Sequence, residues 1–357
     1  MIGLAIALLA QPAPIAPVAP AGPEVQVTVR VDSASRTVVI TSGPHHLEAA
    51  DPATLEAMAT ASGPMHHHGV SEPFRRFRWP IDGWLRGVRL AITDGEGRQV
   101  SRRLVHHINV VNLERRMLFY DAPERIIAMG QETEDIALPA SIGVPVKAGT
   151  EMGLVLMWHN MSDRAYHDLT VTLTVEWSPT NLYPRPLSVL PVYMDVVDPI
   201  GQPVDFDLPP GDQAFKAEFT MPIDGRIIGA GGHLHDYGLD VTLDEVRRDG
   251  GTKRIIALDA RLDEAMRIEG VERKYPGVRG RGIKLGKGRT YRLTGRYDNR
   301  SGRVIPDGAM VHMVLLFAPS DPAEWPRANP EARDWRVDVA ELENAANPAA
   351  ESGHAHH

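Results

Sequence analysis

Apolar and polar positions alternate along most of the chain between Pro23 and Ser320. Val25, Val27, Val29 and Val31 form one such series, and Leu169, Val171, Leu173, Val175 and Trp177 another. The stretch from Tyr291 to Gly295 repeats the pattern. A period of two puts every second side chain on one face, so each segment predicts a half-buried strand. Asp94-Gly95, Ser301-Gly302 and Asp307-Gly308 supply turn signals between such runs. Helical spacing is scarce, and residues 51–61 and 338–346 are the best short candidates. The expected class is all-β, built as two tandem jelly-roll-like antiparallel β-sandwiches.

The tandem arrangement rests on an internal repeat. Pro80-Ile-Asp-Gly83 recurs as Pro222-Ile-Asp-Gly225. Lys147-Ala-Gly-Thr150 leads into a strand ending at His159-Asn160, and Lys287-Gly-Arg-Thr290 leads into one containing Tyr297-Asp298-Asn299. Two matches at similar offsets predict two copies of one sandwich. The expected boundaries are an N-terminal arm at 1–23, a first sandwich at 24–177, a Pro-rich linker at 178–191, a second sandwich at 192–320 and a surface tail at 321–357.

Composition narrows the chemistry. The chain has 357 residues with 38 basic and 46 acidic side chains, a formal net charge of −8. That balance argues against nucleic acid as a main partner. There is no cysteine, so disulfides, thiolate metal sites and a cysteine nucleophile are excluded. Fifteen histidines are present, most of them clustered. Any transition metal must then sit on His, carboxylate or Met. The opening run Met1 to Ala10 is too short to span a membrane as a helix and resembles the apolar part of a secretory signal. An exported protein, periplasmic or secreted and with no transmembrane span once mature, is the expectation.

Four stretches could carry metal chemistry. In Gly231-Gly232-His233-Leu234-His235, residues i and i+2 of a strand share a face, so two imidazoles converge, and the glycines leave room beside them. Two surface histidines would give the same spacing. In Val105-His106-His107-Ile108, neighbouring residues face opposite ways unless a bulge turns them together. Otherwise one is buried and hydrogen-bonded and the other exposed. His159 ends an apolar strand, where a lone histidine also serves as a satisfied core residue. Met310 and Met313 lie in an apolar run, as core methionines do, and a thioether is a useful ligand only for a soft ion such as Cu(I). His312 shares a face with Met310 and is a rival ligand.

Taken in order, these residues resemble the copper type II, ascorbate-dependent monooxygenases, the family of peptidylglycine α-hydroxylating and dopamine β-monooxygenases. The resemblance spans roughly residues 75–320. It implies one copper on His106, His107 and His159, and a second, oxygen-activating copper on His233, His235 and Met310, the two facing a shared cleft. It also implies hydroxylation of a C–H bond of a small-molecule or peptide-like substrate, with O₂ and an external reductant such as ascorbate. This chain departs from the family in lacking disulfides and in carrying Met157 where a polar residue is expected.

Two other functions compete. A non-catalytic envelope protein that binds or handles copper needs the same ligands without a substrate. A glycan-active or glycan-binding double sandwich would want paired carboxylates, for which only Asp236 and Asp298 offer themselves. His45-His46, His66-His67-His68 and His354 to His357 read as solvated loop clusters able to capture metal loosely. Arg75, Arg76, Arg78, Arg102 and Arg103 read as solvated strand faces that could guide an anionic reductant.

Overall fold

The computed structural model describes residues 24–50, 70–130, 133–277 and 281–344. The N-terminal signal-like run, the 51–61 helix candidate, His66 to His68 and His354 to His357 lie outside the described residues.

The described chain is predominantly β, of a jelly-roll-like sandwich kind. The alternating segments become strands Gln26–Asp32, Tyr166–Ser178 and Thr290–Asn299. Among the described residues, strands up to Ser188 form a seven-stranded and a five-stranded sheet. Strands from Leu190 onward form a four-stranded, a two-stranded and a five-stranded sheet. Each set closes on its own core. Val38, Ile40, Ile92, Ile108, Leu156 and Leu173 fill the first. Val192, Leu243, Tyr291, Leu293, Leu315 and Phe317 fill the second. The cores interlock, because Ile228 and Ala318 pack into the first and Leu118 into the second.

The sequence repeat is a repeat of contacts. Asp82 accepts the Ala148 N–H at 3.0 Å, and Asp224 accepts the Lys287 N–H at the same distance. Gly83 opens a strand paired with Tyr166–Ser178, and Gly225 opens one paired with Val311–Pro319. A Cβ at Gly83 would stand 2.2 Å from the Ser178 carbonyl oxygen, and one at Gly225 2.1 Å from the Phe317 ring, so only glycine fits. The two later segments end in the same turn. The Asn160 amide donates to the carbonyls of Glu48 and Arg164, and Ser162 returns a bond to Asn160 Oδ1. Asn299 does the same with Leu208, Arg303 and Ser301.

Three local expectations change. Asp307-Gly308 lies inside the strand Ile305–Ala309, where Asp307 takes a positive φ of 45°. The segment 178–191 is partly sheet, since Leu187 and Ser188 pair in parallel with Ile142 and Gly143. The C-terminal helix runs Arg333–Asn344, starting earlier than its apolar spacing predicted. It docks through Asp338, 1% exposed, which receives two bonds from Arg125 at 2.9 and 2.5 Å.

Candidate functional site

His106 and His107 sit near the start of the strand Val105–Arg116. Its partner in the sheet is Glu151–Trp158. Met157 pairs with His107 and Trp158 pairs with Val105, so His106 has no opposite number. That is the bulge an adjacent pair requires, and it turns both rings toward each other. Their centroids are 4.1 Å apart. His159 follows the end of the partner strand, anchored by its N–H to the Leu104 carbonyl at 2.7 Å, and its ring lies 5.7 Å from that of His106. Met157, the residue out of keeping with the resemblance, brings its sulfur to 3.2 Å from His106 Nδ1.

The second set is organised by register. His233, near the end of the strand Gly225–Leu234, lies directly opposite His312. Their rings are 5.5 Å apart, and those of His233 and His235 are 5.3 Å apart. The two glycines before His233 have different jobs. A Cβ on Gly232 would collide with Val241, whereas one on Gly231 would meet only the Arg273 side chain at 3.8 Å. Met310 is buried at the join between two strands.

Tyr297 ties this set together. Its hydroxyl accepts the N–H groups of His235 and Met310, both at 3.2 Å, and donates to the Met310 carbonyl. Burial pushes the Tyr297 phenol above its ordinary range, although the bonds from His235 and Met310 oppose the shift, and it remains a protonated donor. Sequence reasoning used Tyr297 only as a repeat marker. A hydroxyl bridging two backbone segments leaves no local signature.

Both sets open on one cleft of about 420 Å³ between the two halves. His107 lines it from the first half, and His233, Met310 and His312 from the second. Val88, Met129 and Leu316 contribute apolar wall. His106, His159 and His235 do not line it. Asp236 and Asp298 are engaged elsewhere: Asp236 accepts the Ile268 N–H and Asp298 pairs with Arg300. Neither lines the cleft, so the carboxylate pair suggested for glycan chemistry does not form there.

Among the described residues, the remaining clusters depart from expectation in part. His45 is not a solvated loop residue but a buried strand residue, with Nε2 3.0 Å from Ser42 Oγ and Nδ1 2.8 Å from Glu72 Oε1. Trp158 Nε1 donates to the same Glu72 oxygen at 3.0 Å. Burial raises the Glu72 pKa, but the bonds from His45 and Trp158 outweigh it, and the carboxyl titrates below its usual range. His46 is exposed, as expected, and lies beside His167. Arg76 is engaged by Glu151 and Glu343, and Arg102 by Asp135, rather than left to steer an anion.

No family model matches the chain, and no curated protein matches it in sequence. Among solved structures it is similar to PNGase F, a glycosylasparaginase from Flavobacterium meningosepticum. The identity is 10%, covering 78% of this chain and 96% of that one, with a TM-score of 0.35. A recombinant N-glycanase F gives 9% identity over 79% and 96% of the two chains, with a TM-score of 0.36. Likenesses this distant transfer no activity.

These findings correct the family expectation. Among the described residues no group of three or more His, Cys, Asp or Glu is placed to hold a metal ion. The order of ligand types along the chain matches the family, but a shared order of ligand types does not establish membership. Membership of the copper type II monooxygenases, and with it a copper-dependent hydroxylase drawing on O₂ and ascorbate, is withdrawn. The more general features stand: a β-sandwich architecture and, among the described residues, no helix long and apolar enough to cross a membrane.

Proposed function

We propose that the chain is a non-catalytic copper-binding protein of an exported compartment. One ion is held by His106, His107 and His159 on the first of two tandem sandwiches. The other is held by His233, His235 and Met310 on the second, across the shared cleft.

The observation that carries this reading is a methionine beside each imidazole set: Met157 within 3.2 Å of His106, and Met310 on the cleft wall with His233. Imidazole alone suits zinc, copper, iron or nickel, and adding a thioether favours copper, above all Cu(I). Ring spacing is compatible with ligation. With a metal–nitrogen bond of about 2.0–2.1 Å and the ring centre roughly 1.1 Å further back, two imidazoles at a tetrahedral angle have centroids about 5.2 Å apart. Within the two sets, the pairs at 5.3 and 5.7 Å lie near that value, whereas His106 and His107, at 4.1 Å, stand closer together than it.

The test is titration of the purified full-length chain with copper under reducing and oxidising conditions, followed by elemental analysis. The expected result is two ions per chain, one lost in a His106→Ala, His107→Ala variant and the other in His233→Ala. A wild-type chain that retains no copper after desalting would overturn the proposal.

A further inference from the structure

A second groove shares no lining residue with the cleft, and among the described residues no histidine lines it. It encloses about 740 Å³. Its walls come from three places: the 185–190 segment, Ser141 and Pro145 of the first half, and Pro319, Pro322 and Trp325 at the end of the second. Trp325 is pinned there, because its Nε1 donates to the Arg116 carbonyl at 3.0 Å.

The side chains of this region are those of an interaction surface. Among the described residues three large apolar side chains are exposed, and two of them, Tyr183 at 93% and Leu187 at 47%, lie four positions apart here. Exposed apolar groups that gather in one place, rather than scatter singly, mark binding sites. Arg185, between them, is exposed and takes part in no ion pair among the described residues. Arg115, the other cation of the groove, is already met by the buried Glu124, its Nε 2.6 Å from Oε2. Among the described residues no carboxylate lines the groove. A chain of net charge −8 thus keeps one uncompensated positive group beside an apolar hollow.

The backbone adds an open edge. Leu187 and Val189 donate their N–H groups to the carbonyls of Ser141 and Gly143 at 2.8 and 3.0 Å. Alternation along the strand turns the Ser188 N–H and carbonyl the other way, and among the described residues no strand lies beyond Leu187–Ser188 in its sheet. Ser188 is held in place, since its Oγ accepts from Trp84 Nε1 at 2.9 Å. An unpaired strand edge is what an extended peptide adds to in β-augmentation.

The geometry points to a docking site here for an extended acidic segment of a partner protein. The segment's main chain pairs with Ser188, one apolar side chain packs on Leu187 and Trp325, and a neighbouring carboxylate meets Arg185. The open edge calls for an extended chain, the hollow for an apolar anchor, and the lone cation for an acidic residue beside it. This reading goes beyond copper binding and does not depend on it.

The test presents the full-length chain to a random octapeptide library displayed on phage, with an Arg185→Glu, Leu187→Asp chain as the counter-selection bait. Both positions are exposed, and thermal unfolding of the variant within a few degrees of the wild type certifies its fold. The expected peptides carry Asp or Glu close to an apolar residue. A fluorescein-labelled synthetic peptide of the selected sequence then binds the wild type, more weakly as salt rises, and loses at least about tenfold in affinity with either single variant. Peptides without carboxylates, or no enrichment over the variant bait, would overturn the inference. So would a dimer in sedimentation velocity that disappears in the variant, because the face would then belong to a second copy of the chain.

Discussion

Replacing Tyr297 by Phe deletes one oxygen and leaves the packing intact, so its effect isolates the clamp on the second histidine set. The ring is 1% exposed, and the hydroxyl uses its full capacity, accepting from two N–H groups and donating to one carbonyl. The two accepted bonds are at the long end of the range. At about 0.5–1.5 kcal/mol net for each bond, with no room for water to replace the oxygen, the loss sums to roughly 2–4 kcal/mol. The strain falls on the backbone at His235 and Met310, the two positions that hold donors in place. Urea unfolding followed by tryptophan fluorescence reads the stability, and copper titration reads the site. The expected outcome is a lower midpoint with unchanged slope, together with an affinity loss of about tenfold or more at the second site alone. A Tyr297→Phe chain within about 0.5 kcal/mol of the wild type, with both affinities intact, would refute the reasoning.

Further outcomes follow from the buried charges. The Glu72 pKa is lowered in the folded chain, so its contribution to stability is complete above the ordinary carboxylate range and fades as pH falls through the folded value. The urea midpoint of the wild type should therefore exceed that of Glu72→Gln at pH 7, and the gap should close toward pH 3; a constant gap would contradict the assignment. Arg125→Ala leaves Asp338 as a buried charge without its bidentate partner, a change that typically costs about 3–5 kcal/mol. Hydrogen exchange should then report undocking of Arg333–Asn344, and exchange there that matches the wild type would show that the helix is held by other contacts.

Much of the fold was legible because strand period is a local property. Leu169, Val171, Leu173 and Val175 announce a strand wherever they occur, and all four are buried as expected. The repeated Pro-Ile-Asp-Gly could be read because one glycine and one aspartate do the same work in each half. The bulge at His106 was legible only as a condition: an adjacent pair needs one, and the sheet register supplies it. Three-dimensional partners could not be read. Asp195 Oδ1 lies 3.4 Å from His312 Nδ1, yet the two residues are far apart in sequence, and nothing near either names the other. His45 looked solvated because its neighbours Pro44 and His46 suggest a loop, whereas Glu72 and Trp158 bury it from elsewhere. The family resemblance failed at the same level, since a familiar order of ligand types along a chain does not fix what those residues build in three dimensions.

The paired turns at Asn160 and Asn299 have a practical consequence for how the protein can be made. Asn160-Met161-Ser162 and Asn299-Arg300-Ser301 both spell the acceptor signal for N-linked glycosylation. In each, the amide nitrogen that would carry the sugar is already committed to backbone carbonyls, and Asn299 is 1% exposed. A glycan attached to the nascent chain at either position removes those donors and demands space that the closed turn does not have. Secretion through a eukaryotic host therefore sets glycosylation against folding at two points, one in each half, whereas a bacterial host without that machinery leaves both turns free to close.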